Sequence, residues 1–300
     1  GMRSVAWTDV IQGVLLLVGV ILIFIVIQVE YGGMVTSAEI IKSQNPEFFN
    51  PPNWTEKRLW ISTIGLAFFG ISVYPHAIQR IYAAKDEHTL KRSLQIMVFM
   101  PLITTMFMMI VGWVGLAQFP NLDRQGSEQI TILMLQDIGY RIPAMGMMIV
   151  LFLSAAIAAI MSTVDSALLA ISAMVTKDLY GRLQPGKSQR ELIRIGKIFS
   201  WVIMGLAVLL AIKLPQTIWR LMEIKLELLC QIAPAIFLGL HLKRLSSRAV
   251  LYGVIIGTIV AVIITLHPLL PTKPLGIHAG IWGLLINVLV LVFFQLRIHK

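Results

Sequence analysis

The chain has 300 residues, of which 57% are hydrophobic and only 13% charged, far too apolar a balance for an ordinary water-soluble domain of that length. It belongs in a lipid bilayer. The net charge of +10 would suit a nucleic-acid binder, but the basic residues lie in short loops between apolar runs, with no basic face interleaved with aromatics, so nucleic acid is not expected as a partner.

Eight apolar stretches are long enough to span, at about residues 6 to 29, 59 to 79, 94 to 117, 143 to 173, 196 to 213, 217 to 240, 249 to 268 and 277 to 296. The fold class is therefore all-α, a single transmembrane domain over residues 1–300. The first stretch runs past the length of a signal-peptide core, so no cleavable leader is expected. Asp9 stands at its start and reads either as an N-cap, with Gln12 three positions on in a capping-box-like pattern, or as an ion-path residue. The polar loop from Glu30 to Lys57, with Gly32-Gly33 and Pro51-Pro52, is expected to fold over the outer face. The tripeptide Asn53-Trp54-Thr55 within it matches a glycosylation acceptor, a pattern too short to carry weight.

In the second stretch, Gly70 and Pro75 weaken the helix interior, and irregular backbone is tolerated in a membrane where it lines a cavity. Between the third and fourth stretches, Ile130 to Leu135 predicts a short interfacial helix. The fourth stretch is long and the fifth short, which predicts tilt or a broken turn. The segment from Gly181 to Arg190, with Pro185-Gly186, reads as a cytoplasmic turn. The sixth stretch carries Glu223, Lys225, Glu227, Gln231 and Pro234. Glu223 and Glu227, four apart, share a face while Lys225 points elsewhere. These charges read as partners for other helices or as an outer gate with Gln231; near the headgroups they would instead snorkel. Cys230, in the same stretch, has no second cysteine to pair with and reads as packing.

Basic residues report topology. With the N-terminus in the cytoplasm, 16 of them fall in inner loops and tails against 8 outside, the outer set including Arg220 and Lys273, with Lys225 left inside a span. Both termini are expected to be cytoplasmic.

Residues 154–180 place small and hydroxyl-bearing residues within an apolar helix. Ala159, Ser162 and Thr163 stand at i, i+3 and i+4, so one carbonyl and two hydroxyls share a face. Uncharged oxygens of this kind suit a weakly held monovalent cation, whereas a divalent ion takes several carboxylates. The alternative is that small residues let helices approach and that the hydroxyls bond back to their own helix. Asp165 follows at membrane depth, where acidic residues face a cavity or a partner, and the helix is expected to end at Thr176-Lys177-Asp178-Leu179-Tyr180.

That run resembles the signature helix of the sodium:solute symporter family. The resemblance recurs in Val5-Ala6-Trp7-Thr8-Asp9-Val10-Ile11-Gln12 and in Tyr74-Pro75-His76-Ala77-Ile78-Gln79-Arg80, in the family's order and spacing. It implies the C-terminal two thirds of a LeuT-like inverted-repeat bundle: core helices five to ten and two peripheral ones, with the N-terminal helices of the same polypeptide as absent partners. It places a Na+ site at Ala159, Ser162 and Thr163, and puts Asp9 and Asp165 on the ion path. The discontinuous second stretch then faces substrate, making Phe68, Phe69, Ile71, Tyr74 and Pro75 candidate contacts and His76 a hydrogen-bonding spacer. Pro75-His76 is similar to the proline, pantothenate and carboxylate branches; Leu226, where sugar carriers offer a glutamine, argues against a sugar.

The implied function is Na+-coupled symport of a small organic solute, a monocarboxylate, an amino acid or a pantothenate-like acid, across the cytoplasmic membrane by alternating access. The rivals are proton coupling through Asp165 or Asp9, and a transporter-like sensor module. No nucleophile–base pair, metal-ligand cluster or phosphate loop is evident, so an enzyme is not expected.

Overall fold

Helix is the only regular structure among the described residues, as suits a chain whose spanning segments must satisfy their own backbone groups in hydrocarbon. The structure, a computed structural model, describes residues 2–213, 217–242, 244–267 and 269–298, leaving aside the side chains of residues 2–6, 76, 80 and 298. In chain order the helices are α1 (Met2–Glu30), α2 (Gly33–Gln44), α3 (Trp54–Ser72), α4 (Pro75–Tyr82), α5 (Glu87–Gln118), α6 (Arg124–Ser127), α7 (Ile130–Arg141), α8 (Gly146–Met174), α9 (Gly181–Leu183), α10 (Gln189–Lys213), α11 (Ile218–Leu229), α12 (Ala233–His241), α13 (Ser247–Leu266) and α14 (Ala279–Ile298).

Six helical runs among the described residues are long and apolar enough to cross a membrane. The other two expected stretches are the segmented ones, and a proline explains each break. Pro75 has no N–H for the Ile71 carbonyl, which instead accepts from Tyr74 one residue early, at 3.1 Å. Pro234 likewise leaves the Cys230 carbonyl to the N–H of Ala233, tightening Cys230–Ile232 into a 3₁₀ turn between α11 and α12.

Short polar residues set several helix starts. Asn53 accepts from the N–H groups of Thr55 and Glu56 at 2.9 and 3.0 Å, and Glu56 accepts from the Asn53 N–H at 2.8 Å. The apparent glycosylation tripeptide is thus half of a capping box for α3. Asp86 caps α5 by accepting from the Thr89 N–H at 2.7 Å, a bond that holds its carboxyl below its ordinary pKa. Ser188 and Glu191 cap α10 reciprocally, each N–H donating to the other's side chain.

Two expectations need correction. Asp9 is not an N-cap, because α1 begins at Met2 and Asp9 lies inside it; a cap residue must precede the first turn. The fourth stretch does not stop at 176–180. It runs on through a wider π turn, Val175–Tyr180, into α9, the Thr176 hydroxyl donating to the carbonyls of Ser172 and Ala173 at 2.7 and 3.3 Å. The helix expected over 130–135 exists as α7, its Met134, Leu135 and Ile138 face buried in the first unit's core while Ile132 and Tyr140 stay exposed.

By packing, the chain divides into two units. The first comprises Gly1–Asn50 and Ala84–Pro215. Its apolar core is built on Ile23 and Ile27 of α1, Val111 and Val114 of α5, α7 and Phe152 of α8. Gly115 permits the α5–α7 contact, since a Cβ there would meet Ile130 at 2.6 Å. At the end of α1, Tyr31 donates to Asp137 at 2.7 Å, and Arg141 pairs with Asp137 at 3.0 Å and Glu30 at 3.3 Å. Burial, helped by the Asp137 hydrogen bond, pushes the Tyr31 phenol up to about 12.

The second unit comprises Pro51–Ala83 and Gln216–Lys300. Here α13 and α14 pack through glycines: a Cβ on Gly257 would lie 2.6 Å from Asn287 Cβ and 2.7 Å from both Gln231 Oε1 and the Gly283 carbonyl. Its interior is notably polar, burying Glu223, Glu227, Gln231, His278 and Asn287. Lipid tails supply little drive for apolar helices to associate, so close approach and interhelical hydrogen bonds take that part.

Candidate functional site

Three groups of predicted residues lie in these units, and the first belongs to α8. Ser162 and Ala159 are half-buried and Thr163 exposed. The Thr163 hydroxyl donates to the Ala159 carbonyl at 3.1 Å, the back-bond of the alternative reading. Ser162 Oγ donates to Asp9 Oδ1 of α1, a residue 153 positions away. A hydroxyl has one proton and two lone pairs, and both protons are already taken. What Ser162 and Thr163 have left to offer is acceptor oxygen, beside a carboxylate. That chemistry fits a monovalent cation. Asp165, three residues further along α8, is exposed.

The second group surrounds the α3–α4 break. Phe68 and Ile71 are exposed; Phe69 packs on Leu66, Leu226 and Cys230. Phe68 lies parallel to Phe237 of α12 at 6.2 Å between centroids, and Phe69 meets it edge-on at 6.3 Å. Tyr74 occupies the link between the half-helices, with Pro75 opening α4, and the Lys225 ammonium lies 4.9 Å from the Tyr74 ring centre. The side chain of His76 lies outside the described residues.

The third group is Glu223, Glu227 and Gln231, only 4%, 1% and 0% exposed. Glu223 pairs with Lys273 at 2.7 Å and Arg220 at 3.0 Å and accepts from the Trp219 indole at 2.8 Å. Glu227 accepts from Thr265 at 2.8 Å and lies 3.4 Å from His278 Nδ1, whose Nε2 is 3.0 Å from the Thr63 hydroxyl. Gln231 donates to the Gly280 carbonyl at 2.8 Å, and Asn287 donates to the Gln231 carbonyl at 2.7 Å. These residues tie α11 to α3, α13 and α14. As expected, the two glutamates share a face and Lys225 points elsewhere. Sequence reasoning missed their partners: Arg220 and Lys273 were counted as topology markers, and nothing in the spacing singles out His278, Thr265 or Asn287.

The model of the sodium:solute symporter family matches residues 1–257. The chain is 28% identical to the sodium/proline symporter of Salmonella typhimurium over 273 residues, which cover 88% of this chain and 53% of the relative. The high-affinity proline transporter PutP of Bacillus subtilis is 29% identical, with 88% and 55% covered, and the sodium/pantothenate symporter of Escherichia coli 27%, with 94% and 60% covered. Among solved structures, a Na+-coupled sialic acid symporter in a substrate-bound outward-open state superposes with a TM-score of 0.69 at 22% identity, over 98% of this chain and 62% of that one. The likeness shows the fold, LeuT-like and all-α. The chain spans little more than half the length of these curated relatives.

Proposed function

The chain belongs to the sodium:solute symporter family, and from that premise we propose that it is the C-terminal part of a carrier coupling Na+ entry to uptake of a small organic solute by alternating access. The carrying observation is the oxygen set on α8: the Ala159 carbonyl and two hydroxyls whose protons are occupied, one of them by Asp9. Neutral oxygens bind a monovalent ion weakly enough to release it, as a carrier requires. The remaining ligands are assigned to N-terminal helices that precede this segment in a complete family member. An ion held between those helices and α8 favours the state in which the solute site is formed.

Asp9, beside Ser162, and Asp165, further along α8, are assigned to the ion's path. The aromatic residues and Tyr74-Pro75 at the α3–α4 break are assigned to the solute, a monocarboxylate, amino acid or pantothenate-like acid. We assign Glu223, Glu227 and Gln231 to holding their unit together rather than to a gate, because their own burial and their several partners on neighbouring elements support a fixed role. The bias of 16 inner to 8 outer basic residues supports cytoplasmic termini.

The drive is sufficient: one charge crossing about 100 mV yields roughly 2.3 kcal/mol, and a tenfold Na+ gradient adds about 1.4 kcal/mol. Together these sustain a several-hundred-fold gradient of a net-neutral solute such as a zwitterionic amino acid, whereas a monoanion crossing electroneutrally with one Na+ draws on the Na+ gradient alone, about tenfold. The test is uptake of a labelled solute panel by the full-length polypeptide in proteoliposomes. Uptake that requires Na+ is expected; uptake driven by a pH gradient and indifferent to Na+ would transfer the role to protons.

A further inference from the structure

Of the charged residues on α11, Arg220, Glu223 and Glu227 are committed to the unit's interior. Lys225 points the other way. Its ammonium has the Tyr74 ring at 4.9 Å and no carboxylate within ion-pair reach among the described residues. An exposed ammonium within a membrane stretch is costly, and a single ring contact offsets little of that cost. It is therefore held for something.

The place it reaches is the break between α3 and α4. Gly70 makes that reach possible: a Cβ there would lie 2.9 Å from Leu226 Cδ2 and 3.2 Å from the Leu226 carbonyl, so only glycine lets α11 approach α3 beside Lys225. Phe69, packed on Leu226, and its neighbour Phe68 supply apolar faces next to it. The N-terminal end of α4 begins at Pro75, one residue beyond Tyr74, and adds the positive end of its dipole. A cation, a helix start and aromatic faces together match an acid with an apolar body.

We propose that Lys225 is the residue that selects carboxylate-bearing solutes, its ammonium pairing with the carboxylate at the α3–α4 break while the solute's apolar part lies on Phe68 and Phe69. The proposal rests on the symport reading and adds to it the residue that recognises the acid. Tyr74 positions the ammonium. Neutral sugars offer it no counter-charge, and amines without a carboxylate are repelled.

The test compares wild type, K225M and K225R in the full-length polypeptide, reconstituted in proteoliposomes, with labelled L-proline, pantothenate and pyruvate as acids and D-glucose as the neutral probe. For the acid that wild type takes up, K225M should raise KM about tenfold or more, the loss of one charge-assisted hydrogen bond. K225R, which keeps the charge, should stay within about threefold. Half-saturating Na+ should not move in either variant. Should K225M fail to fold, wild type alone decides: the amide of the same acid should compete about tenfold less well than the acid. A K225M KM close to wild type, an amide that competes as well as its acid, or glucose as the transported probe would overturn the assignment. Na+-independent uptake by wild type would overturn the symport reading instead, and the KM comparison would still decide the role of Lys225.

Discussion

Replacing Glu227 with leucine tests whether the polar interior of the second unit holds it together. The side chain is 1% exposed, accepts from Thr265 at 2.8 Å, and lies 3.4 Å from His278 Nδ1 and 3.7 Å from Arg220. Leucine has a similar volume but leaves the Thr265 hydroxyl without an acceptor and removes the polar partner of the buried His278 ring nitrogen. Each orphaned buried group costs roughly 1–3 kcal/mol in soluble proteins, and hydrogen bonds between membrane helices average nearer 0.6 kcal/mol, roughly. Arg220 keeps Glu223 at 3.0 Å, so the roughly 3–5 kcal/mol of an uncompensated buried charge does not apply in full. The expected loss for Glu227→Leu is about 2 kcal/mol. Glu227→Gln keeps an oxygen for Thr265 and should lose about half as much. Unfolding of the purified chain in mild detergent by graded SDS, followed through tryptophan fluorescence, measures both, since Trp219 and Trp282 belong to the same unit. A Glu227→Leu chain as stable as wild type, or a glutamine variant weaker than the leucine one, would refute the reasoning.

Three further outcomes are expected. Gly257→Ala places a Cβ within 2.7 Å of Gln231, Asn287 and Gly283 and should cost about 1–3 kcal/mol through forced separation of α13 and α14; an unchanged SDS midpoint would contradict that contact. The Tyr31 phenol, pushed up to about 12 from its ordinary 10, favours the folded state while neutral. Its contribution is full below pH 10 and fades as pH rises through 12, so wild-type stability should fall more steeply over that range than that of Tyr31→Phe; parallel curves would contradict it. A cysteine introduced at Lys187 in a Cys230→Ala background should resist an impermeant thiol reagent added outside, and labelling from outside would reverse the topology.

Much of this architecture is legible in the sequence, for reasons that differ by element. The α3–α4 break is visible because a proline necessarily removes one backbone donor, and Pro75 has its effect wherever the helix packs. The start of α1 is not, because Asp9 and Gln12 imitate a capping box inside a helix that has already begun. Local spacing also concealed the continuation of α8, where the Thr176 hydroxyl is absorbed by a π turn rather than ending the helix. That Ala159, Ser162 and Thr163 share a face follows from helical periodicity, and the cation reading of that face from the family resemblance. Its link to Asp9 does not, since 153 residues separate the pair. The partners of Glu223 and Glu227 were hidden in the same way: Arg220 and Lys273 look like loop charges until the fold brings them to the carboxylates.

The most direct test of Na+ coupling is the half-saturating Na+ concentration for solute uptake by the full-length polypeptide carrying Ser162→Ala and Thr163→Ala together. Losing two of the acceptor oxygens on α8 should weaken Na+ at least tenfold, about 1.4 kcal/mol, or abolish Na+ stimulation, with the amount of protein in the membrane little changed. An unaltered half-saturating Na+ concentration in the double variant would contradict a cation site on α8.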